Sequence, residues 1–190
     1  GFLGGDPVDT VTMALLRGDR PRFSAAAGGH QGPFTAKLDD LADRVVGLDR
    51  SYLAIQGPPG TGKTFTAAHL VHALVLRGKR VGITATSHPA INNVLAEVAK
   101  VFREYGDTES LKTIRQRSGS AGLPAEVKEA MKFGSNADSA DPEYNLVAGT
   151  TWVFASQEMR DSPVDVLIVD EAGQMSLADT LAASLSAHNL

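Results

Sequence analysis

The segment Gly57-Pro58-Pro59-Gly60-Thr61-Gly62-Lys63-Thr64 constrains this chain more than any other part of it. It fits the spacing G-x-x-x-x-G-K-[ST]. A short strand is expected before it, Ser51 to Gln56, and a helix after it, from about Lys63 to Arg77, ended by Gly78. Glycines at this spacing let successive backbone N–H groups turn inward and cradle phosphates. A helix beginning near Lys63 adds the positive end of its dipole. Lys63 then reaches the β- and γ-phosphates, and the Thr64 hydroxyl serves as a ligand for Mg2+. The plain alternative is a Gly/Pro-rich connection that matches by chance; the flanking strand and helix argue against it.

A second segment limits the chemistry further. Val164 to Asp170 reads as a buried strand that delivers Asp170 and Glu171 at its C-terminal end. Ligands of open parallel sheets bind at that edge. Asp170 is placed to hold the metal, and Glu171 to orient and deprotonate an attacking water. Taken alone, the segment also fits a strand ending in a solvated acidic turn. Paired with the phosphate loop, it argues for hydrolysis of a nucleoside triphosphate.

The rest of the chain supplies the frame. Strands are expected at Arg80 to Ala85, Leu111 to Gln116 and Asn145 to Gly149. Helices are expected over Val8 to Leu16 (capped by Asp6 or Asp9), 35–48 (capped by Thr35), Pro89 to Phe102 and Ser176 to Ala187, with a turn or short helix at Thr150 to Ala155. Strand–helix alternation with continuously apolar strands predicts an α/β, three-layer domain with a mainly parallel sheet. Residues 1–34 read as a loop-rich lead-in and 35–190 as the domain. A mobile insertion is expected around 118–143, with one helical island from Pro124 to Phe133.

Composition narrows the classes. The 190 residues are 43% apolar, enough for one well-covered core, and contain no cysteine. Disulfides and cysteine-ligated zinc or iron–sulfur sites are therefore excluded within them. The net charge is −4, so bulk charge announces no nucleic-acid partner. No apolar run approaches the ~18–20 residues of a membrane span, and no signal core opens the chain, which points to a cytoplasmic protein without a membrane partner. Arg17, Arg20 and Arg22, and separately Lys112, Arg115 and Arg117, form basic clusters, read first as ordinary solvated charge, the alternative being a seat for a phosphate backbone. His69 and His72 share a helix face and read as partly buried residues rather than metal ligands.

The run Gln56 to Thr64, followed by Thr84-Ala85-Thr86-Ser87-His88 and later by Asp170-Glu171-Ala172-Gly173-Gln174, resembles superfamily-one helicases. The likeness is to the 5′-to-3′ branch that holds the RNA-surveillance helicase and the nuclease-helicases, and most to bacterial fusions with a RecB-like nuclease. It covers residues 51–95 and 145–180 densely. It implies the first RecA-like domain of an ATP-dependent helicase or translocase, a P-loop NTPase with ATP and Mg2+ as cofactors. Nucleotide contacts then fall on Gly57, Pro58, Pro59, Gly60, Thr61, Gly62, Lys63, Thr64 and Phe65. Thr64 and Asp170 take the metal, and Lys63, Glu171 and Gln174 take the catalytic roles. Gln174 would sense the γ-phosphate, an amide being both donor and acceptor; a plain turn residue is the alternative.

The resemblance also implies contacts to single-stranded nucleic acid, DNA favoured over RNA, at Thr86, Ser87, His88, Asn92, Gly149, Thr150 and Thr151. Hydroxyls, amides and helix N-termini bind phosphates without reading bases. Ser87 equally suits the cap of the following helix, with Pro89 in its first turn. Trp152 and Phe154 either stack on bases or, as read here, belong to the core. The chain departs from the family where an adenine-reading glutamine is usual: it has Asp39-Asp40-Leu41, and Gln31 lies further off. The second motor domain, with its arginines, falls outside these residues, so the isolated piece is expected to be weakly active or inactive. The competing class is a P-loop ATPase or kinase that does not act on nucleic acid.

Overall fold

The computed structural model describes residues 10–25, 38–57, 60–119 and 121–190. In chain order the elements are α1 Val11–Arg17, α2 Leu38–Val46, α3 Lys63–Leu76, β1 Val81–Thr84, α4 His88–Tyr105, β2 Thr113–Gln116 and α5 Ala125–Glu129. They continue with β3 Met131–Gly134, α6 Asn136–Ser139, β4 Leu146–Ala148, α7 Thr151–Phe154, α8 Gln157–Asp161, β5 Val164–Val169, α9 Leu177–Ser184 and β6 Ala187–Asn189. The six strands form one sheet in the order β3-β2-β4-β1-β5-β6, and every pairing is parallel.

Burial on both faces explains the continuous apolar strands. All four residues of β1 are buried. Val81 and Ile83 pack with Leu74 of α3 and with Val94 and Phe102 of α4 in the larger core cluster. The opposite face holds Val147, Phe154, Met159, Leu167 and Ala183, drawn from β4, β5 and α7 to α9. Each buried side chain of this size contributes about 1.5–3 kcal/mol. Side-chain caps set the starts of several helices: Thr10 accepts from Met13 N, Ser87 from Ala90 N, Ser156 from Met159 N and Ser176 from Asp179 N. Such a cap contributes about 0.5–2 kcal/mol. At the N-terminal edge of the sheet, the buried part of Arg80 donates to the carbonyls of Ser139, Tyr144 and Ser162 at 2.7, 3.1 and 2.6 Å. One side chain thereby pins three connections.

Several expectations need correction. The stretch 118–143, expected as a mobile insertion with a helix from Pro124 to Phe133, departs from that pattern. Instead α5 ends at Glu129, and Met131–Gly134 pairs with β2 as the outermost strand. The alternation of Met131, Lys132 and Phe133 suits a half-covered edge strand: Met131 and Phe133 face the core. The run 51–56 does not form a regular strand. Its backbone makes one rung with the last residue, Leu53 N to Leu190 O at 2.9 Å and Leu190 N to Ser51 O at 3.1 Å. Beyond that rung an apolar cleft separates Ala54 and Ile55 from Ile168 and Val169, so this backbone has no ladder to join. The last residues form β6, which periodicity did not suggest because three residues carry no pattern. The first helix is capped by Thr10. The proposed caps Asp6, Asp9 and Thr35, and also Gln31, lie outside the described residues.

Candidate active site and strand-binding face

The loop leading into α3 turns as its glycines allow. Gly60 and Gly62 have φ of 80° and 78°, the left-handed region that a side chain disfavours. A Cβ on Gly57 would stand 2.6 Å from Thr61 Oγ1, so any other residue there would oblige the Thr61 side chain to turn aside. Lys63 Nζ donates to Gly57 O at 2.8 Å and so folds back over the loop. Pro58 and Pro59 lie outside the described residues. Phe65 is half exposed and its ring centroid lies 4.0 Å from that of His69.

Topology brings the acidic pair to this loop. The segment before the loop lies beyond β6, so β6 stands between it and β5. A cavity of about 330 Å3 is lined by Gln56, Gly57, Lys63, Thr66, Asp170 and Glu171. Asp170 N donates to Thr84 O at 2.9 Å, which carries the β1–β5 pairing one residue past the strand. Glu171 then turns sharply, with φ of 52°. A non-glycine residue there is strained, and such residues collect at functional sites. Gln174 ends a short 3-10 turn, donates through its backbone N to Glu171 O at 2.8 Å and is exposed; it does not line the cavity.

The other predicted residues sort into two groups. Thr86 and Ser87 are exposed at the end of β1, and Thr86 Oγ1 donates to Glu171 Oε2 at 3.3 Å. Thr150 is fixed by Gln116, whose Oε1 accepts from both Thr150 N and Thr150 Oγ1 at 3.1 Å. Gly149 is buried, and a Cβ there would lie 2.5 Å from Val153 Cγ2. Asn92, expected as a phosphate contact, is buried: its Nδ2 donates to Ala121 O at 2.8 Å and its Oδ1 accepts from Arg115. It braces α4 from beneath and offers nothing to a ligand.

Trp152 reverses the expectation of a core residue. It is 78% exposed, one residue past Thr151, whereas Phe154 is fully buried. On a four-residue helix the two cannot share a face, and Phe154 takes the inner one. Arg115 likewise leaves the basic surface cluster assigned to it: it is fully buried, bonded to Asn92 Oδ1, Ala148 O and His88 Nδ1. Periodicity gave a usable hint, since Arg115 alternates with Ile114 on a strand covered on both faces. In the other cluster Arg22 pairs with Asp19 at 3.8 Å and donates to Arg50 O. His72 is buried against Asp107 at 2.7 Å. Among the described residues no group of His, Asp and Glu is arranged to hold a metal on its own, and no helix is long and apolar enough to cross a membrane.

The sheet order and the cavity that unites the loop lysine with the strand-borne acids put the chain in the class of RecA-like P-loop NTPases. The family follows from comparison: the chain belongs to the AAA domain family AAA_11, whose profile matches residues 44–143. It is 29% identical over 186 residues to the DNA replication ATP-dependent helicase/nuclease DNA2 of Saccharomyces cerevisiae, 90% of this chain and 12% of that protein. The corresponding protein JHS1 of Arabidopsis thaliana is 31% identical over 132 residues, 67% of this chain and 9% of its own length. A Drosophila melanogaster homolog of regulator of nonsense transcripts 1 is 34% identical over 100 residues, 51% of this chain and 8% of that protein. The chain thus spans about a tenth of the length of these relatives.

Proposed function

We propose that this chain is the first motor domain of an ATP-dependent helicase that hydrolyses ATP while moving along single-stranded nucleic acid. The observation that carries this reading is the hydrogen bond from Thr86 to Glu171, at the rim of the cavity shared by Lys63 and Asp170. It ties the segment suited to strand phosphates to the carboxylate suited to activate water.

The residues fit the nucleotide and its metal. The left-handed glycines shape a phosphate cradle, and α3 opens at Lys63 with its positive end toward it. Thr64 and Asp170 offer the hard oxygen donors that suit Mg2+, which when bound neutralises phosphate charge. Lys63 exchanges Gly57 O for phosphate oxygens. Glu171 orients and deprotonates the attacking water. Gln174, outside the cavity, reports the γ-phosphate only if its turn moves inward, a change that closure of a second motor domain would drive.

On the strand side, Thr86, Ser87, His88, Thr150 and Thr151 form the phosphate face, and Gly149 lets its loop pass close to α7. Single-stranded DNA is the favoured substrate, because two of the relatives carry DNA replication in their names. A second RecA-like domain as partner and a cytoplasmic setting complete the proposal. The deciding experiment is ATP turnover by the full-length protein with and without oligothymidylate. Stimulation by the strand is expected; turnover indifferent to it would favour the kinase or unrelated ATPase.

A further inference from the structure

Arg115 is fully buried at the end of β2 and carries a charge that no carboxylate answers among the described residues. Its Nε donates to Asn92 Oδ1 at 3.3 Å, its Nη1 to Ala148 O at 3.4 Å and its Nη2 to His88 Nδ1 at 2.8 Å. All three acceptors are neutral. Burying a cation on neutral partners alone is costly, and native proteins normally pair such a charge. The three partners also have a common address. His88 and Asn92 lie in the first turns of α4, and Ala148 directly precedes the Gly149–Thr151 turn. The next residue of β2, Gln116, holds Thr150. The last two residues of one strand therefore fasten both arms of the face assigned to the strand.

We propose that Arg115 is a positioning residue for a nucleic-acid phosphodiester: it fixes His88 as a neutral ring with its proton on Nε2, and it sets a buried positive charge behind that donor for the phosphodiester to answer. This rests on the reading of residues 86–88 and 149–151 as the phosphate face. The tautomer follows from the donor inventory. Arginine only donates, so the ring nitrogen it meets must accept, and the ring proton must sit on the other nitrogen. Nε2 has no protein partner among the described residues, and His88 is partly exposed. Burial first, and the Arg115 charge second, lower the His88 pKa. Arg115 from β2 is the charged group acting on the ring; Asn92 from α4 and the Ala148 carbonyl from β4 are neutral. The histidine thus stays a neutral donor as pH falls. Eighteen residues of α4, starting beside it and capped by Ser87, aim their positive end at the same place.

The test uses the 15N-labelled 190-residue chain and oligothymidylate as probe. In the free chain the His88 imidazole spectrum should show the Nε2–H tautomer and titrate below the ordinary histidine range. Adding oligothymidylate should shift the His88 Nε2–H resonance. Arg115→Met should return His88 to ordinary titration and weaken oligothymidylate binding about tenfold, the size expected for losing one charge-assisted contact. His88→Gln, which keeps a donor near the Nε2 position, should bind more tightly than His88→Ala. Should Arg115→Met fail to fold, Arg115→Lys and the tautomer in the unaltered chain decide. A proton on Nδ1, or ordinary His88 titration in the unaltered chain, overturns the proposal. So does full binding by Arg115→Met when Ser87→Ala and Thr150→Val are weakened, and in that case the phosphate face itself stands. If oligothymidylate shifts nothing at residues 86–88 or 149–151, the reading of that face falls, and the proposal with it.

Discussion

The Thr86 hydroxyl donates to Glu171 Oε2 at 3.3 Å, across a gap of 85 residues in sequence. One partner begins the segment after β1 and the other turns away from the end of β5. The pairing of β1 with β5, from Val81↔Val166 to Thr84↔Val169, brings them together. Any shift of the segment proposed to bind the strand therefore alters a group that holds the candidate base. In the full-length protein, Thr86→Val is expected to lower strand stimulation of ATP turnover by about fivefold, within the usual range of coupling between two sites. Steady-state turnover measured across oligothymidylate concentrations checks this, and unchanged stimulation would sink the coupling.

Lys63 and Glu171 should separate binding from chemistry. Lys63→Ala removes the cation of the cradle, and ATP turnover should vanish in the full-length protein. Glu171→Gln keeps the size and loses the base. Nucleotide binding should persist while kcat falls by about 10²–10⁴, the contribution usual for a general base. Equilibrium binding of a fluorescent nucleotide beside single-turnover hydrolysis distinguishes the two. Normal hydrolysis by the glutamine variant would remove Glu171 from the role.

Trp152 is the one tryptophan of the chain and is 78% exposed, so its fluorescence is a built-in reporter of the proposed strand face. Emission should be that of a solvated indole and should be quenched on adding oligothymidylate. Trp152→Ala should weaken binding by about 1–3 kcal/mol, the contribution of one stacked base. Binding without any change in emission would show that the indole faces elsewhere.

Gly82 sits at mid-strand in β1, where a Cβ would lie 2.7 Å from Phe154 Cε1 and 2.8 Å from Leu167 Cδ1. Neither ring nor isobutyl group has room to retreat, since both are fully buried. Gly82→Ala should destabilise the domain by about 1–3 kcal/mol through overpacking. A lower denaturant midpoint with an unchanged slope is the expected result; an unchanged midpoint would mean the core yields at no cost.

The sequence announced the elements whose pattern is long or chemically peculiar. The phosphate loop, α3, α4, β1, β2, β4 and β5 stand close to where periodicity put them, because continuous apolar runs belong to strands covered on both faces. β3 escaped because the helix expected from Pro124 to Phe133 ran over it, β6 because three residues carry no pattern, and the run before the loop misled because pairing depends on a neighbour that sequence does not display. At the site, motif spacing found Lys63, Asp170 and Glu171. It missed the burial of Asn92 and Arg115 and the exposure of Trp152. Those depend on which way a side chain turns at the end of a strand or helix, where one residue of register decides between core and solvent.

The two longest helices among the described residues, α3 and α4, both start at the carboxyl rim of the sheet, one at Lys63 and the other just past Ser87. Their far ends are clasped together by His72 and Asp107. In a molecule with a net charge of −4, two helix N-termini and Lys63 thus supply positive potential on the rim that also carries Asp170 and Glu171. Two polyanions, a nucleotide and a strand, would then draw on the same local field. Rising ionic strength should loosen both together, and occupancy of one should be felt electrostatically by the other before any domain moves.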